Sequence, residues 1–257
     1  MTQDRQAVLP PITDRSVHLQ VDRLARRYLD AGGLGMEAMH LVGNSAEGLL
    51  ERLPRPVRGR MDQIVRAGLS RAFSTAAGSR RVMRDRGEWF NRLASTLSGA
   101  AGGMAGFAGA VVELPLTITL LLRAMLEIAA EHGLDTDSDE VRMECLRIFA
   151  AAGPMQHDDG ADLALVTARL SVTGQTVQGL ISKVAPKLSI SMGQKLAAQA
   201  APVFGAVAGA TINYTFTRYY QELARVHFGL MRLAHETGLP HEALVEALRL
   251  SALRQKS

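Results

Sequence analysis

One cysteine, Cys145, stands in 257 residues, so an internal disulfide framework is excluded and a reducing compartment, the cytoplasm, is the expectation. Aromatic residues make up 5% of the chain and there is a single tryptophan. Too few aromatics interleave with the basic residues to make the stacking platforms of a single-strand nucleic-acid binder, so nucleic acid is a disfavoured partner. The first residues include Asp4 beside Arg5, unlike the basic lead and apolar run of a secretory signal. Catalytic signatures are missing too: there is no G-x-S-x-G, P-loop, H-E-x-x-H or paired C-x-x-C. Gly33-Leu34-Gly35 with Ala38 imitates a dinucleotide fingerprint, but helical pattern rather than a strand precedes it. The seven histidines are scattered, with no two at metal spacing on one helix face. No metal, cofactor or catalytic residue is therefore expected.

What is present is an unusual centre. Residues 99–109 carry five glycines among alanines, followed by Glu113-Leu114-Pro115 and a leucine-rich helical pattern to Gly133. Such small residues make no core alone, but they let a second helix approach closely. Residues 193–217 repeat that texture without a charge between Lys195 and Arg218. Residues 93–112 are uncharged and long enough to cross a bilayer. Only six are large and apolar, at about −0.3 to −0.6 kcal/mol each, while a glutamate drawn to the centre costs up to about 3 kcal/mol. Two closely packed, nearly buried helices are preferred to two membrane spans.

Beyond Pro115, Leu114, Ile118, Leu121, Leu122, Met125, Leu126 and Ile128 fall on one arc of a helical wheel, and Glu113, Thr117, Thr119, Arg123 and Glu127 fall opposite. If solvent covers the second face, its charges are ordinary. If the glycine-rich helix covers it, Glu113 needs a cation or backbone donors, because an unpaired buried carboxylate costs several kcal/mol.

Charge is strongly uneven. Residues 52–86 hold ten arginines against Asp62 and Asp85, so the remainder of a chain of net charge +4 is net negative. The spacing predicts a basic amphipathic helix over 57–77, and the cluster Arg80, Arg81, Arg84 and Arg86 then runs into Trp89-Phe90. Arginine beside tryptophan suits an anionic membrane interface, although Trp89 also reads as a core anchor.

The rest reads as helices and their stops. Residues 1–12 form a tail; a helix capped at Thr13 or Asp14 ends at Gly32-Gly33, and a weaker one covers 34–52. Asp135 to Glu140 fails as a calcium loop, since Glu140 stands where glycine is needed and Leu146 where a bidentate glutamate is needed. Capping at Asp137 or Ser138 explains it, starting a helix with Val141, Cys145, Ile148 and Phe149 inward. Cys145 on that stripe reads as core. His157-Asp158-Asp159 would need ligands from elsewhere to hold a metal. Residues 161–198 are helix-rich, broken at Pro186. A helix over 203–236 places Ile212, Phe216, Tyr219 and Leu223 inward, with Thr211, Thr215 and Arg218 as a polar stripe. A last helix covers 240–253, leaving 254–257 as a tail.

The glycine run with Glu113-Leu114-Pro115, the acidic cap before ECLRIFAAAG, and AAPVFGAVAGATINYTFTRYYQELARVHF together resemble the EcsC family over about residues 50–235. Glu113, Pro115, Asn213 and Tyr214 match its pattern. The resemblance implies an all-α bacterial protein related to membranes and supplies no catalytic residues. The expectation is one all-α domain over 13–253 with two glycine/alanine-rich helices at its centre. A buried polar cluster of Glu113, Thr117, Arg123, Asn213, Tyr214 and Arg218 is expected, with Arg80, Arg81, Arg84, Arg86 and Trp89 facing an anionic membrane. The leading reading is a cytoplasmic accessory or binding protein peripheral to the inner membrane, holding an acyl chain or contacting a transporter. The alternative is an enzyme built around Glu113, Arg123 and Arg218.

Overall fold

A computed structural model describes residues 12–42, 50–51, 53–82, 106–149, 176–199 and 205–256; within its helices the side chains of 34–42, 75–82, 106–113, 199 and 205–209 lie outside that description. Among the described residues the named elements are eight α-helices: α1 (Arg15–Val42), α2 (Arg55–Arg58), α3 (Met61–Val82), α4 (Gly106–Glu131), α5 (Asp139–Ile148), α6 (Val177–Gln199), α7 (Gly205–Thr237) and α8 (His241–Lys256). The all-α expectation holds.

The apolar arc of α4 is the heart of the molecule, with Leu114, Ile118, Leu121, Leu122, Met125, Leu126 and Ile128 all buried. The opposite face is covered in part: Thr117 and Arg123 are buried and Thr119 and Glu127 half-buried, because α3, α5, α6 and α7 all pack on α4. α7, with 33 residues, is about 50 Å long and touches α1, α4, α5, α6 and α8. Its predicted inward positions, Ile212, Phe216, Tyr219 and Leu223, are buried. The second small-residue stretch is divided: its first part closes α6 and its last part opens α7, with 200–204 outside the described residues.

Several expected stops are not stops. Gly32 and Gly33 lie inside α1, where neither takes the left-handed backbone conformation that ends a helix. A helical glycine costs about 1 kcal/mol against alanine, which weakens a helix without ending it. Pro186 lies inside α6. A proline removes the donor for the carbonyl four residues earlier. Here that carbonyl belongs to Ser182, and the Arg66 guanidinium of α3 donates to it at 3.3 Å. The basic helix begins at Met61 rather than 57, after the single turn α2, and runs to Val82. α8 extends to Lys256, so 254–256 are helical rather than a tail.

True stops occur where glycine is left-handed, at Gly133 after α4 (φ 78°) and Gly238 after α7 (φ 69°). Ser138 caps α5, its Oγ accepting from the Val141 amide at 3.3 Å.

Close approach through glycine is visible at α3. A Cβ placed on Gly68 would lie 2.8 Å from Ile118 Cδ1 and 3.6 Å from Pro115 Cα. Gly68→Leu is therefore expected to cost about 1–3 kcal/mol through overpacking. Chemical denaturation checks this; an unchanged midpoint would refute tight α3–α4 contact. The analogous expectation for Gly102 and Gly106 falls on side chains outside the described residues.

Candidate functional site

Three polar arrangements stand out, two inside the protein and one on its surface. The first lies between α4, α6 and α7. Ser191, Gln194 and Lys195 share a face of α6 by their three- and four-residue spacing, and Asn213, Thr217, Tyr220 and Gln221 share a face of α7. All seven are buried, and Lys195 is 0% exposed. Its ammonium lies 3.4 Å from Thr117 Oγ1 on α4, and further interactions complete its surroundings. Position 113 is one helical turn before Thr117, although the Glu113 side chain is outside the described residues. Thr217 donates to the Asn213 carbonyl at 2.9 Å, so that hydroxyl is satisfied within its own helix.

Tyr220 is the largest fully buried side chain of this layer. Phe149 and Tyr219 hold its ring edge-on, each with centroids 5.3 Å away. Burial pushes its phenol far above the usual range, with Ser191 beside it opposing weakly. Neither the Tyr220 hydroxyl nor Ser191 Oγ meets a partner at good hydrogen-bond geometry among the described residues.

The second arrangement joins α5 to α7. Glu144 accepts from Arg147, one turn further along α5, through Oε1, while its Oε2 lies 2.9 Å from His227 Nε2. All three residues are buried. Burial raises the Glu144 carboxyl, but the His227 hydrogen bond and the charges of His227 and Arg147 outweigh it and hold the group below its ordinary value. His241 of α8 stacks edge-on to His227 at 6.3 Å. His227 Nδ1 is buried and meets no partner among the described residues. Glu144 and His227 thus resemble an acid–base dyad, but the nitrogen a substrate would need is sealed in protein, which makes the cluster a buried tie between helices. No group of three metal-ligating side chains occurs among the described residues.

The third arrangement is exposed. Around α2, Arg55, Arg58 and Arg60 are exposed within six residues, beside exposed Pro54 and Pro56. None of the three meets a carboxylate among the described residues. α3 carries Arg66 and Arg71 onward, but its apolar positions Met61, Val65, Leu69 and Ala72 are spent on the core.

The expected polar cluster is brought together only in part. Thr117 and Asn213 are buried in the central layer; Arg123 is buried and paired with Glu127 at 3.2 Å; Tyr214 and Arg218 are half-buried. Arg80 and Arg81 are on α3 with side chains outside the described residues, and Arg84, Arg86, Trp89 and His157 to Asp159 lie outside them altogether. Lys195, Glu144 and His227 were missed. Lys195 carried a signal: it sits between Met192 and Leu196 on the inward side of a helix.

A family model, that of the EcsC protein family, matches residues 42–233. The chain belongs to the EcsC family. The EcsC-matched segment contains the central polar layer and the Glu144 cluster, and omits most of α1 and all of α8. No curated protein and no solved structure matches the chain. None of the described helices is long and apolar enough to cross a membrane.

Proposed function

We propose that this EcsC-family protein is a peripheral, membrane-associated binding or accessory protein, docking on an anionic lipid surface at the cytoplasmic side of the inner membrane. In that role it holds an acyl chain or contacts a membrane-embedded transporter. The observation that carries the reading is the exposed turn with Arg55, Arg58 and Arg60 free of carboxylate partners among the described residues. Because the apolar face of α3 is already covered, attachment through this part is electrostatic, by arginine to lipid phosphate, rather than by insertion. The neighbouring arginines 80, 81, 84 and 86 extend the same basic segment in the sequence.

The triple variant Arg55→Gln/Arg58→Gln/Arg60→Gln is expected to lose about 1 kcal/mol per arginine in binding to phosphatidylglycerol-containing vesicles at moderate salt. The Arg80, Arg81, Arg84 and Arg86 quadruple variant is expected to weaken binding similarly. Vesicle sedimentation of parent and variants measures both. Equal sedimentation by all three, or none by the parent, would remove the membrane reading. A larger loss of DNA binding than of vesicle binding would favour nucleic acid instead.

A further inference from the structure

An open cleft of about 340 Å³ lies where α1, the end of α4 and the second half of α7 meet. Arg23 and Arg27 of α1, one turn apart, line one wall, and Arg225 and Arg232 of α7 line the other. Four arginines, from two helices far apart in sequence, thus line one depression.

Glu222 serves two arginines at once: Oε2 meets Arg27 at 2.9 Å and Oε1 meets Arg225 at 3.0 Å. One carboxylate therefore holds two guanidiniums side by side. Burial and the adjacent positive charge of Arg27 both disfavour the charged form of Arg225, a repulsion that an anion between them would relieve. Arg232 meets Glu236 only at 3.5 Å, with both side chains about half exposed, a contact worth little in water. Arg23 is exposed and meets no carboxylate among the described residues. The one acid in the lining, Glu131, is itself exposed. The floor is apolar: Leu24 leans over Gly229, where a Cβ would come within 2.8 Å of Leu24 Cδ2.

We infer that this cleft binds a phosphoryl group, as a phosphate ester whose oxygens bridge the arginines of α1 and α7. Guanidinium forks match phosphate oxygens in pairs, and a site with several of them favours a multiply charged tetrahedral anion over a single carboxylate. The volume exceeds that of one phosphate, leaving room over Leu24 for the carbon part of a small metabolite or a lipid headgroup. Arg27 and Arg225 arrive held in place by Glu222, so little side-chain ordering opposes binding.

The test is calorimetric titration of the full chain with inorganic pyrophosphate. Arg23 and Arg232 are the variants of choice, since both are exposed and neither holds helices together through a buried contact. Arg23→Gln/Arg232→Gln is expected to raise the Kd for pyrophosphate at least about tenfold with an unchanged melting temperature. The triple variant at Arg55, Arg58 and Arg60 is expected to bind pyrophosphate as the parent does. A parent without saturable pyrophosphate binding, a double variant that binds equally well, or a triple variant that loses binding as much as the double would each overturn the site. Vesicles containing phosphatidic acid separate the two sources of phosphate. Weaker vesicle binding by the double variant supports a headgroup, and unchanged vesicle binding beside lost pyrophosphate binding supports a soluble ester. A protein that binds pyrophosphate and no vesicle would remove the membrane reading alone.

Discussion

Replacing Glu144 by alanine is expected to lower the unfolding free energy by about 3–5 kcal/mol, a large fraction of what holds a single domain together. The carboxylate faces two buried partners, Arg147 on its own helix and His227 on α7, and its removal leaves a guanidinium with 9% exposure without that carboxylate. Glu144→Gln keeps the shape but not the charge, and falls between parent and alanine. The sign of the pH dependence follows from the lowered carboxyl. Its stabilisation is fully present above its unfolded value of 4.5 and is lost as pH falls through the lower folded value. Denaturation curves from neutral to acid pH should therefore show the gap between parent and Glu144→Ala narrowing below about pH 4.5. A gap that stays constant into strong acid, or a cost under about 1 kcal/mol at neutral pH, would show that the cluster does not hold α5 to α7.

Tyr220 separates ring from hydroxyl. Tyr220→Ala empties the space between Phe149 and Tyr219 and is expected to cost about 3–5 kcal/mol. Tyr220→Phe keeps the ring and deletes a buried oxygen that meets no partner at good geometry among the described residues, so it should be neutral or mildly stabilising. Chemical denaturation of the two variants gives the comparison. A loss of more than about 2 kcal/mol in Tyr220→Phe would mean that the hydroxyl is bonded after all. A Tyr220→Phe protein that melts like the parent but fails in a complementation assay would give the phenol a working role in the polar layer.

The apolar half of this architecture was legible in the sequence because helical period records which side of a helix is greasy. The arc from Leu114 to Ile128 and the stripe from Ile212 to Leu223 are buried where the wheel put them. Period does not record how many neighbours a helix has. Thr117 and Arg123 read as a polar face, yet four helices pack on α4 and these two residues are buried too. The same blindness hid Glu144 and His227, two buried polar side chains that meet from 83 positions apart. Glycine and proline misled for a related reason. Their costs are local, about 1 and 3 kcal/mol, and long-range packing exceeds them. At Pro186 the orphaned carbonyl even finds a donor, Arg66, from 116 residues away. The arginine cleft escaped notice because its two walls lie in separate parts of the chain and neither is basic enough alone to stand out.

Among the described helices, α1 is made before the ones it packs on. α1 packs chiefly on α7 and α8, and Arg27 meets Glu222 across 195 residues of sequence. At ribosomal speeds that separation is roughly 10–40 s of synthesis. Throughout it, Val17, Val21, Ala25 and Tyr28, all buried in the finished protein, have no α7 to cover them. The nascent chain therefore carries an uncovered amphipathic helix while its middle is being assembled. Once α7 and α8 are made, α1 and α8 close on each other, with Ser251 bonded to Asp22 at 2.5 Å. The core is thus finished by a clasp, in which residues from the beginning and the end of the described helices bury each other.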